Sequence, residues 1–433
     1  MEGNRSIEEI CDDLSNNFLF QASLGSKELF HSNMLAWLLE QPNIDGKLAA
    51  LELFGKIVLE IDSFPKIDFS KNVDEELYSI KREENKIDLT IRWKENETSK
   101  YIYIENKMKS IPTIEQLIEY NDKIKDENNF KLILTPFEST KSKEFKEIDW
   151  INITYEKHII TFLEECKKIK FFKDEDKEKK VRIIMFIDLY VGLIRNTLEI
   201  CKKLNINDEN KLRAIPLYYF YDNSNIELRK IKKIRFNDFI LKLVHEIIAK
   251  IIKQNLKAGD KEIIRGDFSR AEGITDVKIS VHQEESFNQY IILQLQGLNL
   301  RYGTEVIFNK KKKKEKDNTN WNKLIPEETN RNIRFAKILY EKKLWFFEDR
   351  NNKTLLKGNG KSSTLKIESA EKNAFNSFTN DTFIYMNRKI DSFQMKNISE
   401  CINLIVDEAQ YVINEINKGV ESQILKIYND CKN

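Results

Sequence analysis

The chain of 433 residues is 41% hydrophobic, and its 72 basic and 70 acidic residues leave a formal net charge of +2. This length and hydrophobic fraction predict one large domain or two domains. The balanced charge excludes a strongly basic protein, so a nucleic-acid partner would need a local basic patch. The five scattered cysteines lack CxxC spacing, which argues against structural zinc and favours a reducing cytosol. Without a signal peptide or a membrane-spanning apolar run, we expect a cytoplasmic protein with no membrane partner.

The N-terminal region predicts helices over residues 7–20, 28–40 and 47–61. Two polar residues, Glu28 and His31, lie at the start of the second, strongly apolar helix. An acid at a helix start is favoured by the helix dipole, which is one explanation of Glu28. His31 is a candidate phosphate contact, and the alternative is a side chain that only hydrogen-bonds near the helix end.

Two adjacent strands, over residues 86–93 and 101–107, form the most informative part of the sequence. Both are rich in Ile, Tyr and Thr, and the polar segment between them predicts a hairpin. Because a strand has period two, Glu105 and Lys107 point to one face, and the hairpin brings Asp88 near them. Two carboxylates suit a hard cation such as Mg²⁺, and a lysine beside them can orient water or stabilise a phosphate charge. The alternative is chance, since 33% of the chain is charged and Glu-x-Lys is common on solvated surfaces.

The segment after the hairpin predicts a helix on which Gln116 and Tyr120 are four residues apart and share a face. The combination of Asp88, Glu105-x-Lys107 and Gln116-x-x-x-Tyr120 resembles the PD-(D/E)XK nuclease superfamily in its RecB-like form. The resemblance implies that Asp88 and Glu105 hold Mg²⁺ or Mn²⁺ and that Lys107 orients the attacking water or stabilises the transition state. It also implies that Gln116 anchors the site and that Tyr120 supports it.

The resemblance covers roughly residues 20–170. The sequence departs from the family pattern at Ile87, which takes the place of the proline in the family's name. In the wider superfamily an acid on the first core helix can join the metal site, and Glu28 is the matching candidate here.

The remaining N-terminal elements predict the fold that the resemblance implies. Strands over residues 73–83, 130–135 and 150–155 and a helix over 156–170 complete the order helix, three strands, helix, two strands, helix. We therefore expect an α/β (α+β) fold, in which a restriction-endonuclease-like mixed sheet is flanked by helices.

The rest of the chain predicts an α+β C-terminal domain without a catalytic signature. We expect a PD-(D/E)XK nuclease-like domain at 1–175, a helical connector at 176–230 and an accessory domain at 231–433. The elements predicted after the connector are helices over residues 236–256, 397–416 and 420–427 and strands over 275–282, 290–300 and 343–348.

A dense basic run lies in the predicted accessory domain. A solvated loop is one explanation of the run, and a contact with the phosphate backbone of nucleic acid is the alternative. Its residues are Lys310, Lys311, Lys312, Lys313 and Lys314.

The sequence as a whole predicts a metal-dependent nuclease that hydrolyses phosphodiester bonds, with DNA favoured and a role in bacterial defence or DNA processing. The alternative is a catalytically inactive nuclease fold that binds nucleic acid or regulates a partner, because fold alone does not fix function. A homo-oligomer or a defence-system partner is compatible with either prediction.

Overall fold

The computed structural model of the protein divides into two compact units. The first comprises Met1–Asp208 and Ile226–Phe239, and the second comprises Glu209–Asn225 and Ile240–Asn433. The structure describes residues 5–23, 28–59, 78–95, 98–108, 114–124, 129–138, 142–171, 176–256, 262–269, 272–309, 320–342, 344, 376–378, 382–389 and 397–431.

The first unit is built on a five-stranded mixed sheet. Its strands, in spatial as well as chain order, are β1 (Tyr78–Glu84), β2 (Ile87–Glu95), β3 (Thr98–Asn106), β4 (Asn129–Thr135) and β5 (Ile151–Thr154). β1, β2 and β3 are antiparallel neighbours, whereas β3, β4 and β5 run parallel. Between β1 and β2, Asn85 and Lys86 have φ values of 55° and 70°, which is the left-handed conformation of a tight two-residue hairpin. The predicted hairpin of β2 and β3 and the mixed sheet are confirmed.

Helices flank this sheet, as the fold class predicts. The helix over Ile114–Asn121 packs through Leu117 and Tyr120 on Tyr103 and Ile133 of the sheet. A five-residue π-helical turn, Tyr155–Ile159, precedes the helix over Ile160–Cys166. The helices of this unit are α1 (Ile7–Asn16), α2 (Phe18–Ser23), α3 (Glu28–Leu39), α4 (Ala49–Val58), α5 (Ile114–Asn121), α6 (Ser142–Glu147), α7 (Ile160–Cys166), α8 (Lys177–Lys203) and α10 (Ile226–Lys233).

The single helix predicted over residues 7–20 is two helices, because the chain breaks at Asn17. Asn17 has an extended conformation, with φ −78° and ψ 114°. Its side-chain oxygen accepts a hydrogen bond from the Phe20 backbone N–H at 3.1 Å, and its amide donates to the Leu189 carbonyl oxygen at 2.7 Å. Asn17 therefore acts as the N-cap of α2, a role that asparagine favours.

The second unit is built on a six-stranded antiparallel sheet. Its strands are β6 (Glu262–Ser269), β7 (Glu272–Gln283), β8 (Phe287–Gln296), β9 (Asn299–Phe308), β10 (Asn376–Phe378) and β11 (Phe383–Lys389), in the order β10-β11-β9-β8-β7-β6. Its helices are α9 (Glu209–Arg213), the part of α11 (Asn237–Asn255) after Phe239, α12 (Trp321–Glu341), α13 (Ile398–Asn417) and α14 (Gln423–Asp430). The predicted α+β character of this part of the chain is confirmed.

Two details of the second unit differ from the sequence prediction or cannot be compared with it. The strand predicted over residues 290–300 is wrong at its end, because a turn with Gly297 at φ +56° separates β8 from β9. The strand predicted over 343–348 lies almost entirely outside the described residues.

The long helix expected within the connector, α8, belongs to the first unit. No helix among the described residues is long and apolar enough to cross a membrane.

A completely buried imidazole, that of His245, joins α11 to β7 in the second unit. Its Nε2 lies 3.0 Å from the Tyr221 hydroxyl, and its Nδ1 lies 3.0 Å from Oγ1 of Thr275. Thr275 donates its hydroxyl proton to the His245 carbonyl oxygen, so its Oγ1 is free to accept from Nδ1–H of a neutral ring. Burial lowers the pKa of His245 from 6.5 to about 3. A Cβ on Gly273 would lie 2.2 Å from the ring, so only glycine fits there.

The buried imidazole predicts a pH dependence of stability. Between pH 6.5 and about 3 the unfolded His245 binds a proton that the folded ring does not, so stability falls as the pH falls. This one group should lower the free energy of unfolding by about 1.4 kcal/mol per pH unit in that window. Urea denaturation of the parent and of His245→Gln at pH 7, 6, 5 and 4 measures the difference in slope. Parallel profiles for the two proteins would show that His245 titrates normally in the folded state.

Candidate functional site

The hairpin of β2 and β3 brings Asp88 beside the end of β3. Regular pairing of these strands ends where Leu89 lies opposite Ile104. Beyond that pair, the Asp88 carboxylate turns to the neighbouring strand, and its Oδ2 accepts a hydrogen bond from the Asn106 backbone N–H at 2.7 Å. On the other side of β3, the Lys107 backbone N–H donates to the Leu134 carbonyl oxygen of β4 at 2.8 Å. The end of β3 is thus held from both sides.

The carboxylate of Glu105 is buried at the centre of this site, with only 2% of the residue exposed. Its Oε1 lies 2.7 Å from Nζ of Lys107, in an ion pair that is itself buried. Gln116 donates to the same oxygen at 3.1 Å, and the Tyr120 hydroxyl donates to it at 3.3 Å. Gln116 also donates to the Tyr120 hydroxyl at 2.6 Å. Residues from one strand end and one helix face therefore fix the orientation of this carboxylate.

The second carboxylate oxygen of Glu105, Oε2, has a different environment from Oε1. It is buried and accepts no hydrogen bond within the described part of the chain. Burial raises the pKa of Glu105, and the charge and hydrogen bond of Lys107 oppose that rise only in part. A buried carboxylate oxygen without a hydrogen-bond donor is costly, so it needs an explanation, such as a bound ion or water.

α5 supplies the side chains that support Glu105. Its apolar residue and its two hydrogen-bonding residues lie on different sides of the helix. Leu117 is completely buried in the cluster between α5 and the sheet. Gln116 and Tyr120, one helical turn apart, then lie on the side that meets Glu105. Burial and the nearby Glu105 charge raise the pKa of Tyr120, so its hydroxyl keeps its proton and can donate.

A second hydrogen-bond network lies behind the site and begins at Asn106. The Asn106 side chain donates to Oγ of Ser32 on α3 at 3.1 Å and accepts from the Tyr155 hydroxyl at 3.0 Å. The Tyr155 hydroxyl is hydrogen-bonded to that of Tyr190, which lies 3.1 Å from Nδ1 of His31. This network holds the residue whose backbone N–H binds Asp88.

Sequence reasoning missed this network. Asn106 is the middle residue of the Glu105-x-Lys107 motif, and strand parity alone indicates that it points to the opposite face. Tyr155 and Tyr190 carry no local signal, because each lies in or beside a predicted helix far along the chain. Only the fold brings them to β3.

The outcome differs for the three other predicted site residues or groups. Glu28 begins α3, but its side chain is outside what the structure describes, so its role as a ligand stays a prediction. His31 is completely buried, so a phosphate contact would require its ring to become exposed. The run from Lys310 to Lys314 lies outside the described residues.

Comparison with known proteins identifies the class. Residues 16–188 match the PD-(D/E)XK nuclease superfamily, over a stretch that contains the whole first sheet and α5. This match supports the sequence-based recognition of that superfamily over this part of the chain. No curated protein and no solved structure matches the chain. The RecB-like form and the Gln116-x-x-x-Tyr120 motif stay predictions.

The donor set fits a hard divalent cation. The unfilled Oε2 of Glu105 is an oxygen that a cation would satisfy, and the Asp88 carboxylate lies at the adjoining strand end. Carboxylate oxygens with water are the ligands that Mg²⁺ and Mn²⁺ prefer. Among the described residues there is no group of three or more His, Cys, Asp and Glu that would hold a metal alone. Asp88 and Glu105 would thus be the protein ligands, with Glu28 as the candidate third.

The network behind the site predicts a role for the Tyr155 hydroxyl. Tyr155→Phe leaves Asn106 without the donor at 3.0 Å, which should cost about 1–3 kcal/mol of stability. We also expect cleavage activity to fall, because Asn106 positions Asp88. Urea denaturation and cleavage rates measure the two effects.

Tyr428→Phe is the matched control. The Tyr428 hydroxyl is buried and has no hydrogen-bond partner among the described residues, so its removal should be nearly neutral. If both variants lose the same stability and activity, the Asn106 network has no special role.

Proposed function

We propose that the first unit is a metal-dependent nuclease that hydrolyses phosphodiester bonds, with DNA as the favoured substrate. The observation that carries the proposal is the Glu105 carboxylate, whose Oε1 meets three donors while its buried Oε2 accepts no hydrogen bond from the described residues. Mg²⁺ or Mn²⁺ as the metal and a role in bacterial defence or DNA processing are parts of the same proposal.

Each residue of the site has a distinct task in this mechanism. A divalent cation bound by Asp88 and Glu105 would polarise the phosphodiester and lower the pKa of a bound water. Lys107 can orient the attacking water or stabilise charge on the phosphate oxygens. Gln116 and Tyr120 hold Glu105 in one orientation, so the carboxylate is positioned before substrate arrives.

The alternative is an inactive nuclease fold that binds nucleic acid or regulates a partner. Lys107, in contact with Glu105, favours the enzyme, because a fold that had lost catalysis would not require the lysine of the motif. The role of the second unit as an accessory that engages substrate or a partner also stays a proposal.

The test is incubation of the purified protein with single-stranded DNA, double-stranded DNA and RNA in Mg²⁺, Mn²⁺ or EDTA. We expect cleavage of at least one substrate, supported by a metal and stopped by EDTA. Binding without cleavage under every condition would favour the inactive fold. If the protein neither binds nor cleaves any of these substrates, both proposals are overturned.

A further inference from the structure

α10 and the residues after it carry a dense group of basic side chains in the first unit. Leu228 and Ile231 are buried, and Phe236 packs on Phe20 and Phe239. These apolar residues orient the segment, so most of the basic side chains between them face outward. The basic residues are Arg229, Lys230, Lys232, Lys233 and Arg235.

The end of α10 gives Arg235 an unusual backbone conformation. The Phe236 N–H donates to the Ile231 carbonyl oxygen at 3.1 Å, and the Arg235 N–H donates to that of Lys232 at 3.0 Å. This is the Schellman arrangement, with Arg235 at φ +58° in the position where glycine is usual. Arg235, with its long cationic side chain, therefore has a backbone conformation that favours glycine, which has no side chain.

A cavity of about 420 Å³ opens beside this helix end, within the first unit. Asp12, the one acid among the described residues of its lining, forms an ion pair with Lys230 at 3.2 Å. Lys233 and Arg235 are exposed, and neither forms an ion pair with another described residue. The cavity therefore has a net positive charge. Its polar and charged lining includes Lys230, Lys233, Arg235, Asp12, Ser15 and Gln21.

We propose that this cavity binds a backbone phosphate of a nucleic acid and so holds the substrate of the nuclease unit. The inference rests on the proposed nuclease function. Lysine and arginine contacts to phosphates position a nucleic acid without reading its sequence. Two uncompensated cations, with an amide N–H of Gln21 beyond the one it donates to the Ser15 carbonyl oxygen, suit a phosphodiester with its neighbouring sugar.

The experiment compares the parent with a double variant, Lys233→Gln with Arg235→Gly. Glycine suits the backbone conformation at position 235, so the melting temperature should not fall. The control is Lys168→Gln with Arg182→Gln, which removes the same charge from exposed cations paired with Glu165 and Glu178. Binding of a labelled DNA duplex is measured by fluorescence anisotropy over a NaCl series in EDTA, which prevents metal-dependent cleavage.

We expect the double variant to bind about tenfold or more weakly at low salt. The slope of log affinity against log salt should be smaller by about 2, since each lost phosphate contact removes about 1. The control should match the parent. Equal affinity and slope in all three proteins would overturn the phosphate site, while leaving metal-dependent cleavage as a separate result.

Two further outcomes would also overturn the inference. One is a parent that binds no nucleic acid; the cleavage assay then decides independently whether the nuclease function fails too. The other is binding of inorganic phosphate that the double variant loses, with unchanged binding of DNA. The cavity would then be a site for a small anion.

Discussion

Lys107→Ala should lower the rate of nucleic-acid cleavage by about 10²- to 10³-fold, the usual effect of removing one donor that stabilises developing charge. The change removes the cation 2.7 Å from Glu105 Oε1. Burial raises the pKa of Glu105, and Lys107 is the main influence that opposes the rise. Without Lys107 the carboxyl should hold its proton to a higher pH, so the acid limb of the pH–rate profile should move upward. Cleavage rates at pH 5 to 9 measure both effects.

Lys278→Ala provides the matched control for loss of a buried lysine. Lys278, in the second unit, is 5% exposed and forms an ion pair with Glu305. Both variants leave an acid without its buried cationic partner, so both should be less stable. Only Lys107→Ala should lose cleavage at a temperature where both are folded. If Lys107→Ala cleaves as fast as the parent, Lys107 has no catalytic role and the inactive, binding fold gains support.

Glu105→Gln should abolish the response of the protein to divalent metal. The substitution keeps the shape of the side chain but removes the charge that a cation requires. For the parent, Mg²⁺ or Mn²⁺ at 100 times its dissociation constant should raise the free energy of unfolding by about 2.7 kcal/mol. The variant should show no such increase, and cleavage should fall by about 10³-fold or more, as when a main charge-stabilising group is lost. Urea denaturation with and without metal measures the first effect.

Glu305→Gln is the control for this substitution, because Glu305 is the acid of an ion pair with the buried Lys278 in the second unit. It should retain both the metal response and cleavage. A full metal response in Glu105→Gln would place the cation elsewhere, and the site built around Glu105 would then be wrong.

Local sequence patterns were sufficient to predict the part of the site that lies within one short stretch. Strand alternation places Glu105 and Lys107 on one face, and helix periodicity places Gln116 and Tyr120 on another. The family resemblance indicated that these two faces meet, and the structure brings the four side chains together. Their contacts depend on one strand end and the next helix, which are close in the chain.

The rest of the site depends on long-range contacts that no local pattern encodes. Ser32 and Tyr155 meet at Asn106 only because α3 and the end of β5 pack near β3. Helix and strand ends were also missed where a polar side chain or a glycine decided them. Asn17 caps a new helix inside the apolar pattern that predicts one helix over residues 7–20. Gly297 begins a turn inside the apolar pattern that predicts one strand over residues 290–300.

The division of the chain into units has a consequence for dissecting the protein into fragments. The first unit is not a continuous segment, since Ile226–Phe239 belongs to it although Glu209–Asn225 does not. A fragment that ends at Asp208 would lack α10, whose Leu228 and Ile231 are buried and whose Lys230 forms an ion pair with Asp12. Such a fragment would expose part of its own core. An expression boundary for the first unit should therefore lie beyond Phe239, and loss of activity on cutting earlier would not show that the second unit takes part in cleavage.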